Sequence, residues 1–296
     1  YILCITKLVD YFSIIIWYTF RLLYTTLGAC AGVFIVLYSP FPMIVNVSIA
    51  FLCSAIGLLF TRASLFPLIS ACVLPVLLKT ESWAYPLSVF VMTLIIIIIQ
   101  RWMERLGLRK TNTYEAVERH WGRDSILWLC LMISVFVVTC LAVYTSNFYF
   151  IIPPLIVAYV EFVNSKAGFR NRPVLTVLLL FTGSLVGTVF QLIGYYYLGG
   201  SETLVALFIF IVLFTMFEWL GKFFAPVGAI ALIPMLLPIE ALPWLPFQVL
   251  IGATLFIAMG MLFFQQCYKW THAQLIYCLI PHYLLNRLMR GKRNQV

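Results

Sequence analysis

Long apolar runs, interrupted at intervals by charges or prolines, set the pattern of this chain. Crossing the hydrocarbon core takes about 20 apolar residues in an α-helix. Candidate membrane segments fall at roughly 2–20, 22–38, 43–61, 65–78, 84–101, 125–147, 149–163, 173–198, 203–221, 225–238 and 247–268. The pattern therefore predicts an all-α fold, a polytopic transmembrane bundle of about 10–11 segments. Segments 65–78 and 225–238 are too short to cross alone. In the second, Pro226, Pro234 and Pro238 leave about a dozen residues for a helix. Broken helices at membrane depth persist only where protein or a water-filled cavity covers the freed backbone groups, which makes these stretches natural binding sites.

The two short stretches share their punctuation. Pro67, Pro75 and Glu81 match Pro226, Pro234 and Glu240, each pair 159 residues apart. Around them Arg62 stands near the place of Lys222, Trp83 near Trp244, Pro86 near Pro246, and Gly28-x-x-x-Gly32 near Gly183-x-x-x-Gly187. This predicts two tandem copies of one membrane module. The first copy covers 1–105, a basic linker plus one span 106–147, the second copy 148–270, and an amphipathic basic tail 271–296. The chain opens on Tyr1 with no signal-peptide pattern, so the native N-terminus is expected upstream and the first copy truncated.

Composition fixes the class. With 64% hydrophobic and 10% charged residues and a mean hydropathy of +1.04, the polar surface is too small to coat a soluble globule of this length. The net charge of +9 points to topology rather than nucleic acid, because the bases cluster at segment ends. The loop 102–124 with Arg101 before it is the richest in bases and is expected to be cytoplasmic. Alternating outward from it brings every base but Lys79 and Lys7, out of 19, to the same side. The expected location is a bacterial plasma membrane with a cytoplasmic C-terminus. Under that assignment the two copies run parallel, related by an axis near the membrane normal. The eight cysteines lie mostly within apolar runs without Cys-x-x-Cys spacing and read as small buried hydrophobes.

Candidate chemistry concentrates at the short segments. A helix that begins inside the membrane turns unpaired N–H groups and its positive end toward whatever lies before it, and both attract an anion. Ser64, Pro67 and Ser70 in the first copy, with Ala225, Pro226, Val227 and Gly228 in the second, are placed at such entrances, between which a substrate site is expected. Gly228 allows close approach to the backbone. Glu161, with Asn164 a turn later, is an acid at a segment end, and Gln191 is a mid-span amide that needs a partner, as interhelical glue or as a substrate contact. Glu218 precedes Lys222 by four residues, the favourable order for a helical ion pair. The Gly-x-x-x-Gly pairs permit close helix approach. Trp83, Trp102, Trp219 and Trp244 fall at expected interfaces. His120, His272 and His282 lack ligand spacing, so no metal and no cofactor is expected, and the helix expected at 272–290 would lie on the cytoplasmic surface. No nucleotide-binding loop, Gly-x-Ser-x-Gly or His-Glu-x-x-His occurs, which points away from an enzyme.

The second copy resembles the HPP family of membrane proteins over about 150–268, and more faintly over 22–101. The likeness rests on Pro153-Pro154-Leu155 with Ala158, on Arg172-Pro173 leading a span that contains Gly187, and on Ala225-Pro226-Val227-Gly228-Ala229 with Ala231-Leu232. The histidine of the name-giving motif falls at Phe224 and one of its prolines is missing. A narrower similarity, to the fusaric-acid-resistance and aromatic-acid exporter group, rests on Arg172, Thr182, Gly183 and Gly187. Plastid and cyanobacterial HPP members are associated with nitrite transport, which implies an anion carrier. The expectation is therefore a transporter or channel-like carrier for a small anion or small organic acid, with the lipid bilayer as surroundings and no nucleic-acid partner. A homodimer or a partner subunit would engage the 102–124 loop. The other readings are a non-transporting scaffold subunit and a lipid-handling membrane protein.

Overall fold

The computed structural model describes residues 2–61, 66–108, 121–164 and 172–268, and these form helices and short connections with no strand among them. Residues 1–128 and 129–296 form two compact units. Ser64, the three histidines, the 272–290 stretch and most of the 102–124 loop lie outside the described residues.

The first unit begins with α1 (Ile2–Tyr38), α2 (Met43–Thr61), the short α3 (Pro67–Leu78) and α4 (Ala84–Arg105). Helix α5 (Trp121–Tyr144) contains the boundary between the units. The second unit continues with α6 (Pro153–Asn164), α7 (Pro173–Phe190), α8 (Glu202–Leu220), the short α9 (Ala225–Leu232) and α10 (Leu245–Tyr268). Among the described residues seven helices are long and apolar enough to cross a membrane, and no more than 44% of any one of them is buried. Much of the apolar surface therefore faces outward, as on α4, where Ile95, Ile98 and Ile99 are exposed. Contiguous apolar surface on that scale belongs in lipid, so the chain is an integral membrane protein.

Three segments differ from the expected ones. Stretches 2–20 and 22–38 are a single helix, α1, whose span runs from Tyr18 to Tyr38. Arg21 does not break it because Nη1 donates to Gln100 Oε1 of α4, 3.4 Å away. The 149–163 candidate is a 3₁₀ turn, Phe148–Ile151, followed by the 12-residue α6 that opens on Pro153 and Pro154. Helix α9 stops at Leu232 and gives way to a 3₁₀ turn, Ile233–Leu236.

The last difference has a local cause. A proline at position i leaves the carbonyl at i−4 without its helical donor. In α3, Pro75 frees the Ala71 carbonyl, and the Tyr85 hydroxyl donates to it at 3.1 Å, so the helix continues through the proline to Leu78. In the second unit Pro234 frees the Ile230 carbonyl, but Leu245, the residue before Pro246 as Tyr85 is before Pro86, has no donor. The Ile233 N–H takes that carbonyl instead, in 3₁₀ fashion. Tyr85→Phe should therefore cost about 1–2 kcal/mol by orphaning a buried carbonyl. In a Pro75→Ala background, where Pro75 no longer removes the donor, the same change should cost much less. Thermal melts of the four proteins in detergent measure that coupling.

Each short helix lies along a Gly-x-x-x-Gly face. In the first unit Gly28 faces Leu68 and Gly32 faces Cys72 and Pro75. In the second Gly183 faces Val227 and Gly187 faces Ala231. Both residue numbers rise together along each pair of helices, so α1 runs parallel to α3 and α7 parallel to α9. Leu68 and Val227, like Cys72 and Ala231, are 159 residues apart. Helix α3 touches α1 and α2 while α4 touches α1; likewise α9 touches α7 and α8 while α10 touches α7.

Candidate functional site

The second unit holds the richer chemistry, and the parallel pairing of α7 and α9 builds it. Helix α7 starts at Pro173, ten residues before Gly183, whereas α9 starts at Ala225, only two before Val227. At 1.5 Å per residue the first turn of α9 therefore lies roughly 12 Å further along α7 than the start of α7 itself. Helix α9 begins within the depth of the α7 span, as its length anticipated.

The approach to that point is basic. Gly221 ends α8 in the left-handed conformation, at φ 60°, where glycine carries no Cβ penalty. The chain then passes Lys222 and Phe223 and enters α9 through Phe224, which is extended at φ −132° and ψ 98° and fully buried. Helix α8 stops at Leu220, so Lys222 stands just beyond the helix that carries Glu218. Lys222 lies within electrostatic reach of Arg172, which precedes α7. Burial first, and the Arg172 guanidinium second, hold the Lys222 ammonium below the ordinary lysine range. Neither helix start is capped by a side chain. Two parallel helix starts and two bases thus mark one approach, and all four features favour negative charge.

The sequence-derived residues occupy different places around it. Pro226 and Val227 are buried, and Val227 serves as the surface on which Gly183 rests. Gly228 is half-buried and open: a Cβ built there meets only Phe210 Cε1, at 4.0 Å. Gln191 is 1% exposed, its Oε1 has no partner, and it opens a π-helix, Gln191–Tyr197, that continues α7. Glu161 is half-buried on α6, and its neighbour Asn164 donates to the Val160 carbonyl rather than to the acid. In the first unit Pro67 is exposed at the start of α3 and Ser70 is half-buried on it.

Two groups escaped sequence reasoning. Ser184 and Thr188, next to the two glycines of α7, are buried with hydroxyls that have no partner. In the first unit Tyr18, Gln100, Arg101 and Glu104 form a buried network joining α1 to α4. Among the described residues no group of three or more His, Cys, Asp or Glu is placed to hold a metal. Comparison with protein-family models, with curated proteins and with solved structures gives no match for the chain.

Proposed function

We propose that this protein is a membrane transporter or channel-like carrier for a small anion or small organic acid, which enters at the N-terminal end of α9. The observation that carries this reading is the convergence of Arg172, Lys222 and two uncapped parallel helix starts on one approach, one of the starts lying within the span. Charge of one sign at a low-dielectric mouth concentrates the opposite ion. The resemblance of 150–268 to the HPP family supplies a precedent for anions. In the same reading the units are two copies of one four-helix module, α1 to α4 and α7 to α10, supported by the paired contacts 159 residues apart and the matching helix neighbours. The end bearing Arg172 and Lys222 is cytoplasmic, as is the C-terminus, by the bias of bases toward the inside.

Uptake of radiolabelled anions into proteoliposomes tests the function directly. The Arg172→Gln/Lys222→Gln protein should show an apparent KM raised about tenfold at low ionic strength. The gap should narrow as salt screens the exposed charges. Because burial and the Arg172 guanidinium hold the Lys222 ammonium below the ordinary lysine range, its attraction fades as pH rises through that lowered value. Lys222→Gln should flatten this alkaline limb. Absence of flux for every anion tried would overturn the reading.

A further inference from the structure

Deeper along α7, the other hydroxyls on that helix bond back to its own carbonyls. Thr176 Oγ1 donates to Arg172 O at 3.1 Å, and Thr182 Oγ1 to Leu179 O at 3.0 Å. The same habit holds at Thr139, Thr215 and Thr254. Ser184 and Thr188 depart from it: both are buried, at 0% and 4% exposure, and neither Oγ nor Oγ1 has any partner. One turn further on, Gln191 Oε1 also lacks a partner, but it is an acceptor rather than a donor. Spaced four and then three residues apart, the three groups stand on one face, about a helical turn from each to the next. They start at the level where Gly183 meets Val227, and end where α7 widens into the π-helix Gln191–Tyr197, a distortion frequent at functional sites.

The first unit shows that packing does not require these polar atoms. Counting 155 residues back, as from Gly183 to Gly28 and Gly187 to Gly32, the positions are Ala29, Val33 and Val36. Ala29 and Val33 are as buried as their counterparts while making the same close helix approach. Alanine for serine and valine for threonine fill nearly the same space without an oxygen, so the polar atoms of α7 answer a need other than fit.

Resting on the anion reading above, we propose that Ser184 and Thr188 are a short ladder of neutral hydroxyl donors that passes a partly dehydrated monovalent anion along α7, and that only the second unit carries such a path. Hydroxyl donors without a deep cation replace part of the hydration of a single charge, whereas the Born cost of a divalent ion grows with the square of its charge. The ladder therefore selects monovalent over divalent anions, and Arg172 and Lys222 at its mouth exclude cations.

The test is flux of chloride, nitrate, formate and sulfate through the full chain in proteoliposomes, with melting temperature in detergent as a second readout. Wild type should pass monovalent ions at least tenfold faster than sulfate. Ser184→Ala/Thr188→Val, which installs the residues of α1, should lower monovalent flux at least tenfold with an unchanged or raised melting temperature. Thr188→Ser, which keeps the donor, should retain most of the flux and covers the case in which the double variant does not fold. Monovalent flux unaffected by the double variant, or sulfate passing as fast as chloride, overturns the ladder and leaves the transport reading standing. No flux of any anion in wild type overturns both.

Discussion

Gly187→Ala is expected to destabilise the protein by about 3 kcal/mol, the upper range for overpacking a close-packed site. A Cβ at Gly187 would overlap the Ala231 carbonyl oxygen and lie 2.8 Å from its carbonyl carbon, so the conflict is with backbone and no rotamer relieves it. Gly32→Ala should behave alike, because its Cβ would overlap the Cys72 carbonyl oxygen. At Gly28 the obstacle is Leu68 Cδ1 at 2.5 Å, the end of a side chain that can turn away, and the cost should fall to about 1 kcal/mol. Gly183 faces Val227 Cγ1 at 2.5 Å and the Val227 oxygen at 3.0 Å; valine is stiff at χ1, so this position should fall between the extremes. Gly228→Ala should melt like wild type, its surroundings being open. Thermal melts and size-exclusion profiles of the five variants in detergent give the order. Equal losses at Gly187 and Gly228 would contradict the contact of α7 with α9.

Much of this geometry was legible in the residues. Prolines at matched offsets marked both short helices, and the two Gly-x-x-x-Gly pairs marked the faces on which they lie, since only small residues let backbones come so close. Ser201 and Gly221 bracket α8 as cap and left-handed stop, within a residue of the expected segment. A charge or a proline is not a break in itself. Arg21 divided one helix into two on paper because its partner, Gln100, is 79 residues away in sequence. Pro75 and Pro234 look alike in sequence yet differ in effect, because a single distant hydroxyl, Tyr85, takes the carbonyl that one of them frees.

The candidate site divides along the same line. Lys222, Gly228 and Gln191 stand out by residue type and position. Arg172 stood out only as a basic segment end and a member of the family-like patterns until the structure set it within electrostatic reach of Lys222. Ser184 and Thr188 are ordinary residues for a membrane helix, where hydroxyls are generally satisfied by the preceding turn. Only their missing hydrogen bonds set them apart, and these are a property of the packed state. A signal was nevertheless present: each glycine of the first pair is followed by an apolar residue, Ala29 or Val33, and each of the second by a hydroxyl, Ser184 or Thr188.

Glu104→Ala is expected to cost roughly 3 kcal/mol, because it strips the common acceptor from a buried polar cluster. The Tyr18 hydroxyl donates to Glu104 Oε1 at 2.6 Å, and Gln100 Nε2 donates both to that oxygen at 3.2 Å and to the Tyr18 oxygen at 2.9 Å. Arg101 Nη1 stands 4.0 Å from Glu104 Oε2, and its guanidinium lies 5.3 Å from the centre of the Tyr18 ring. The Glu104 side chain is 3% exposed, so water does not replace what the substitution removes. Tyr18 and Gln100, buried on α1 and α4, would each lose an acceptor, and Arg101 its nearby counter-charge. Tyr18→Phe alone should cost about 1–2 kcal/mol, since the hydroxyl both donates to Glu104 and accepts from Gln100. Once Glu104 is alanine, Tyr18→Phe should cost less, since its bond to Glu104 is already gone. That non-additivity is the mark of groups acting as a unit. Glu104→Gln should fall between wild type and alanine, keeping an acceptor oxygen while losing the charge opposite Arg101. Melting curves of the single and double variants in detergent measure the coupling, and strictly additive losses would show that Tyr18 and Glu104 hold α1 to α4 independently.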